Sequence, residues 1–155
     1  MPNWLYIVTR TFYLLGLTIW LGGGLVLGAL VAPVLFRSLP RHQAGGLFGP
    51  ILRRFARLRL GAVLVAIAAA GFKQWRLESH AASPWIAVRW VALAAMAAIV
   101  FYELLALEPA MAATRPGPDS AEDDPVRITF MRLHRRSEAL MKIGLVAALA
   151  ALLLS

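Results

Sequence analysis

Arg59, Lys73, Arg89, Glu103 and Lys142 fall within or at the edges of long apolar stretches of this 155-residue chain. An unpaired charge inside hydrocarbon costs roughly 2.5–3.5 kcal/mol even on insertion scales, so each of these groups needs a partner, water or a route to the boundary. Lys73 and Arg89 lie within about one turn of the end of their stretches, where long stems reach the interface, and interfacial anchoring is their expected role. Glu103 is different. It sits about one turn inside its stretch on a short side chain, and therefore needs a counter-charge or a proton. Arg59 and Lys142 are expected at similar depth on neighbouring helices, and either one can form an ion pair with it. Glu103, Lys142 and Arg59 together define the expected intramembrane polar site.

A second constellation is His134 and Glu138, four residues apart and so on one face of a helix. That spacing can hold a cation, but two side chains are too few for a metal centre, and only His42 and His80 remain as further imidazoles. The chain has no cysteine, which excludes disulfides, thiolate ligands and thiol redox chemistry. No phosphate-cradling glycine loop followed by Lys-Ser or Lys-Thr occurs, nor a His-Glu-x-x-His helix, nor a nucleophilic-serine elbow. A soluble-type hydrolase or nucleotide enzyme is not expected, and a non-enzymatic role is favoured. No cofactor is named by these residues.

The elements that must position these groups are set by lipid as solvent. The chain is 60% hydrophobic and 15% charged, whereas a soluble domain is about half apolar and about one-quarter charged. The expected fold is all-α, a single integral membrane four-helix bundle over residues 1–155, because about 20 helical residues cross a core of roughly 30 Å. The apolar spans cover residues 11–36, 58–75, 85–107 and 139–155, joined by polar segments at 37–57 and 108–138. The apolar run at 11–36 continues past the length of a signal peptide and is read as a retained first helix.

Charge sets the orientation. Arg37, Arg41, Arg53, Arg54, Arg57 and Arg59 share one side with Arg115, Arg127, Arg132, Arg135 and Arg136, against Arg10, Lys73 and Arg76 on the other. The positive-inside rule then puts both basic loops in the cytoplasm and both termini outside, in a cell inner (plasma) membrane. The net charge of +8 is thereby explained by anionic headgroups at the cytoplasmic face, and nucleic acid is not an expected partner. Trp4, Tyr6, Trp75, Trp85 and Trp90 mark the outer boundary, where an amphipathic ring keeps one edge wet.

Two details refine this arrangement. Leu47, Phe48, Ile51, Leu52, Phe55 and Leu58 recur at helical spacing with Arg53, Arg54 and Arg57 elsewhere, which predicts an amphipathic surface helix running into the second span. Gly45, Gly46 and Pro50 are its expected bend points, and the last helix is expected to begin before the membrane, near Pro125 or Val126. The segment around Asp119, Glu122, Asp123 and Asp124, set among prolines, reads as a solvated loop. In the first span, Trp20, Gly22, Gly23, Gly24, Gly28 and Pro33 form a helix-packing motif, with Gly24, Gly28 and Ala32 on one face where small residues allow close approach.

The stretch Leu17–Leu25 with Trp20-Leu21-Gly22-Gly23, then Ala32-Pro33-Val34-Leu35-Phe36, Leu39-Pro40 and Ala44-Gly45, resembles the transmembrane protein 205-like family, as does Phe130-x-x-Leu133-His134-x-x-Ser137. The resemblance spans nearly the whole chain and implies a four-helix membrane fold. Its bacterial members are catalogued as a domain of unknown function, and its animal members imply a link to platinum-drug resistance rather than a defined reaction. Trp20, Gly22, Gly23, Pro33, Phe36, Gly45, His134 and Ser137 are the positions that carry it. The Trp-x-Gly-Gly helix is more distantly similar to the copper-resistance D domain and to small haem-associated membrane oxidases. Those place a histidine about two turns before the tryptophan, where this chain has Phe12 and Tyr13. Three readings follow: a protein that binds or moves a small solute or metal species, alone or as a homo-oligomer; a haem- or metal-binding redox protein using His134 and His42; or an accessory subunit docking on a membrane partner.

Overall fold

In the computed structural model, residues 3–77, 83–117, 121 and 124–155 are described, with the side chains of Arg41 and Leu77 excepted. His80, Asp119, Glu122 and Asp123, named above, lie outside the described residues. No strand occurs among the described residues, which are arranged as four helical rods. The first rod comprises α1 (Asn3–Leu25), a π-helical segment (Val26–Val31) and α2 (Ala32–Ser38). The second is α3 (Arg41–Leu77). The third joins α4 (Pro84–Tyr102), a π-helical segment (Glu103–Leu107) and α5 (Glu108–Ala113), and the fourth is α6 (Pro125–Leu153).

Both π segments have the same local cause. Pro33 and Pro109 lack an N–H and crowd the carbonyl four residues back, Ala29 and Leu105 respectively. The chain widens by one residue just before each proline: Ala32 N–H bonds to Leu27 O, and Glu108 N–H bonds to Glu103 O. Helix continues through each proline and the rod is preserved. Pro50 behaves differently. It sits inside α3, whose helical course runs unbroken through the expected bend points Gly45, Gly46 and Pro50. Gly46 and Pro50 are both exposed, so the carbonyl the proline frees is open to water. The amphipathic segment and the second span are therefore one helix of 37 residues.

The first rod, α3 and the third rod are long and apolar enough to cross a membrane. The fourth rod starts at Pro125, capped by the Asp124 side chain, which accepts from Val126 N–H. Arg136, Glu138 and Lys142 interrupt its apolar character, leaving 139–153 as its apolar portion. The rods pack in cyclic order, first against α3, α3 against α4, α4 against α6, and α6 back against the first. Each rod thus neighbours its sequence neighbours, the up-down arrangement that short connections allow. Phe36 meets Phe48 edge to face at 6.1 Å between ring centroids, tying the end of the first rod to the start of α3.

The core is built from a few large groups set into alanine-rich surfaces: Tyr13, Leu17 and Trp20 against Ala66, Ala69 and Ala70, with Leu93, Met96 and Val100 opposite Ala148 and Ala151. In lipid, burial of apolar side chains contributes little to association, and close backbone approach with interhelical hydrogen bonds takes its place. Gly16 shows how close. A Cβ added there would meet Ala62 O of α3 at 2.5 Å, and on the other side of the same core Tyr13 Oη donates to Ala151 O at 2.8 Å.

Candidate functional site: a guanidinium–carboxylate pair shared by four rods

Arg59 and Glu103 meet in the bundle, the guanidinium Nη2 donating to Glu103 Oε2. Their side chains are 6% and 9% exposed, so the pair is formed inside the protein. Helical phase puts them there. On α3, Arg59 shares a face with Val63, Ala66 and Ala70; on the third rod, Glu103 shares a face with Leu93, Met96, Val100 and Leu107. Glu103 is also the first residue of its π segment, and its N–H is directed at both Ile99 O and Val100 O, where the narrower helix hands over to the wider one.

Trp20 of the first rod, backed by α6, and Phe55, one turn before Arg59 on α3 itself, complete the enclosure. The guanidinium carbon lies 5.1 Å from the Trp20 ring centroid and 5.3 Å from that of Phe55, so the cation is held over two aromatic faces. Trp20 keeps its place because residue 144 of α6 is glycine: a Cβ there would lie 3.2 Å from the indole Cζ2. Phe55 keeps its place because residue 23 is glycine, where a Cβ would meet the ring Cζ at 2.7 Å. Two nitrogens of Arg59, Nε and Nη1, are buried with no hydrogen-bond partner. Glu103 therefore satisfies one part of the guanidinium and leaves the other part without an acceptor, a costly state for a buried donor.

Beside this pair runs a groove of about 490 Å³ between the first rod and α3. Its walls are Ile19, Gly23, Val26 and Leu27 on one side and Ile51, Phe55 and Leu58 on the other, with Arg54 as its one charged lining residue. Toward the chain's basic loops a second ion pair, Arg53 Nε with Glu108 Oε1, bridges α3 and the third rod in a more exposed setting. The sequence reading missed this pair. Its signal is the antiparallel register, since moving back along α3 from Arg59 to Arg53 accompanies moving forward along the third rod from Glu103 to Glu108.

The remaining expected residues are placed as follows. Lys142 does not join Glu103; it is exposed on the α6 face that carries Val146, Leu149 and Leu153, opposite the buried Gly144, Ala148 and Ala151. Within the glycine motif, Gly23 and Gly24 make close approaches, Gly24 to Leu145, whereas Gly22 faces open space and Gly28 has only the Met141 methyl at 3.9 Å. Pro33 acts through the π segment that precedes it. Gly16 and Gly144 are close-packing glycines that the sequence reading did not single out.

His134 Nε2 and Glu138 Oε1 are 3.3 Å apart, 40% and 53% exposed, with the Phe130 ring stacked on the imidazole. Among the described residues no group of three or more His, Asp or Glu side chains comes together to hold a metal ion. His42 is exposed near the start of α3. Trp4, Trp75 and Trp85 are each more than 60% exposed, whereas Trp90 is half-buried and donates from Nε1 to Gln74 Oε1. Arg89, expected to reach outward, instead points into the bundle at 3% exposure, because it lies on the same face as Leu93 and Met96; with Tyr13 and Lys73 it lines a cavity of about 10 Å³.

Residues 15–117, a stretch that includes Trp20, Gly23, Phe55, Arg59 and Glu103, match the family described as "Domain of unknown function (DUF4149)". No curated protein and no solved structure matches the chain.

Proposed function

The chain belongs to the DUF4149 family, and from its buried Arg59–Glu103 pair we propose that it is a non-enzymatic membrane protein that binds or moves a small solute carrying an oxyanion. The observation that carries this reading is the guanidinium itself: Nη2 is engaged by Glu103, while Nε and Nη1 are buried without acceptors. A guanidinium presents its N–H groups as a planar fork suited to a second oxyanion, and such charge-assisted hydrogen bonds are about twice as strong as neutral ones. Glu103 is then the resting counter-ion, which keeps the site neutral when no solute is present. The chemistry requires neither a metal nor a redox group.

The basic segments favour a cytoplasmic position for the loops at 37–57 and 108–138 and an outward position for both termini. The Trp20-Leu21-Gly22-Gly23 and Ala32-Pro33 motifs favour kinship with the transmembrane protein 205-like family.

The test is thermal unfolding in neutral detergent with acetate, benzoate or phosphate, each against chloride at equal ionic strength. A ligand that binds only the folded state at ten times its Kd stabilises it by about 1.4 kcal/mol. At least one oxyanion is expected to raise the midpoint by a few degrees, and the rise is expected to vanish in the Arg59→Gln/Glu103→Gln double variant. Identical midpoints in all four salts for the unsubstituted chain would sink the proposal.

A further inference from the structure

We propose that the groove beside Phe55 is a lateral entrance to the Arg59 site and that its ligand is a single-chain amphiphile ending in a carboxylate. The inference rests on the solute-binding reading above and names the class of solute. Three observations meet at one ring. The groove, about 490 Å³, has apolar walls with one charged lining residue, Arg54. Phe55 is part of the groove wall, and its ring centroid is also 5.3 Å from the guanidinium carbon of Arg59, one turn further along α3, so one side chain touches both the groove and the cation. On the same guanidinium, Nε and Nη1 are buried without acceptors.

The chemistry of the ligand follows from these positions. The apolar walls match a hydrocarbon chain lying along Ile19, Leu27, Ile51 and Leu58. Arg54 attracts an acidic head as it arrives. Rotation of the Phe55 side chain then exposes the donors of Arg59, and the two oxygens of a carboxylate suit two guanidinium nitrogens. A bulky zwitterionic phospholipid head does not suit that seat, because Glu103 and Trp20 already occupy two sides of the guanidinium. Gly23 sets the closed position of the door, since its missing side chain is what lets the Phe55 ring rest on the first rod.

Trp20, stacked on Arg59, reports where the head lies. The full chain carrying Phe in place of Trp4, Trp75, Trp85 and Trp90 is reconstituted in phosphatidylcholine vesicles, and its fluorescence is quenched with hexadecanoate brominated either beside the carboxylate or at the chain end. Bromine beside the carboxylate is expected to quench Trp20 severalfold more strongly than bromine at the chain end. Arg59→Gln is expected to erase that difference, as is Ile51→Phe, which fills the groove. Should the substituted chain fail to fold, a second variant that keeps Trp90, at the opposite end of the bundle, repeats the comparison. Stronger quenching from the chain end, or a preference unchanged by Arg59→Gln or by Ile51→Phe, overturns the inference. In that case an acetate, benzoate or phosphate shift that still requires Arg59 leaves solute binding in place, and its absence removes both readings.

Discussion

Replacing Glu103 with leucine removes the acceptor that Arg59 uses and leaves a 6%-exposed guanidinium with no carboxylate partner. Breaking a buried pair from one side typically costs about 3–5 kcal/mol, because an uncompensated charge is left behind. The faces of Trp20 and Phe55 retain part of the attraction, up to about 2 kcal/mol for a desolvated cation, which places the expected loss near the lower end, about 3 kcal/mol. Arg59→Met alone should cost a similar amount by stranding the carboxylate. The double variant, Arg59→Met/Glu103→Leu, is expected to unfold within about 1 kcal/mol of the unsubstituted chain or above it, since replacing a whole buried pair by apolar groups is often neutral or stabilising. The assay is equilibrium unfolding in maltoside micelles titrated with dodecyl sulfate at fixed pH, read by far-ultraviolet circular dichroism. The resulting double-mutant cycle should give a coupling of about 5 kcal/mol or more, above the roughly 0.5–3 kcal/mol usual for contacting residues because each single variant strands a buried charge. Single losses below about 1 kcal/mol that simply add in the double variant would refute the reasoning, because the pair would then not be the buried, mutually dependent unit described here.

Other outcomes follow from the same geometry. Gly16→Ala is expected to destabilise by about 1–3 kcal/mol in the same assay, since the added carbon meets a backbone oxygen that cannot step aside, whereas Gly22→Ala, which faces open space, should be neutral or stabilising by up to about 1 kcal/mol; equal effects would contradict the packing of the first rod on α3. Tyr13→Phe removes the hydrogen bond to Ala151 O and should cost about 0.5–1.5 kcal/mol, with faster amide exchange near the end of α6 as a second readout. Cysteine placed at Ser120 in this cysteine-free chain is expected to react with a membrane-impermeant maleimide only after the cytoplasmic face is opened; labelling of intact cells from outside would reverse the proposed orientation.

How far each part was legible depended on whether it varies along a helix axis or around it. Hydropathy runs along the axis, so composition and spacing alone determined an all-helical bundle of apolar rods, a last helix beginning near Pro125, and the depth at which Glu103 needs a partner. They could not choose between Arg59 and Lys142, because depth is the same for both and the difference is azimuthal: Arg59 shares its face with Val63 and Ala66, while Lys142 shares its face with Val146 and Leu149. Part of that answer was present in the order of residues, since Gly144, Ala148 and Ala151 mark the close-packing side of α6 and Lys142 lies opposite them. Arg89 carried the same signal through Leu93 and Met96. What only the tertiary structure decided are relations between rods: that Gly16 lies against Ala62 and Gly144 beneath Trp20, that Arg53 finds Glu108, and that the Phe55 ring rests against Gly23. Those depend on the rotation and offset of one rod against another, which van der Waals fit between specific surfaces sets and no single helix contains.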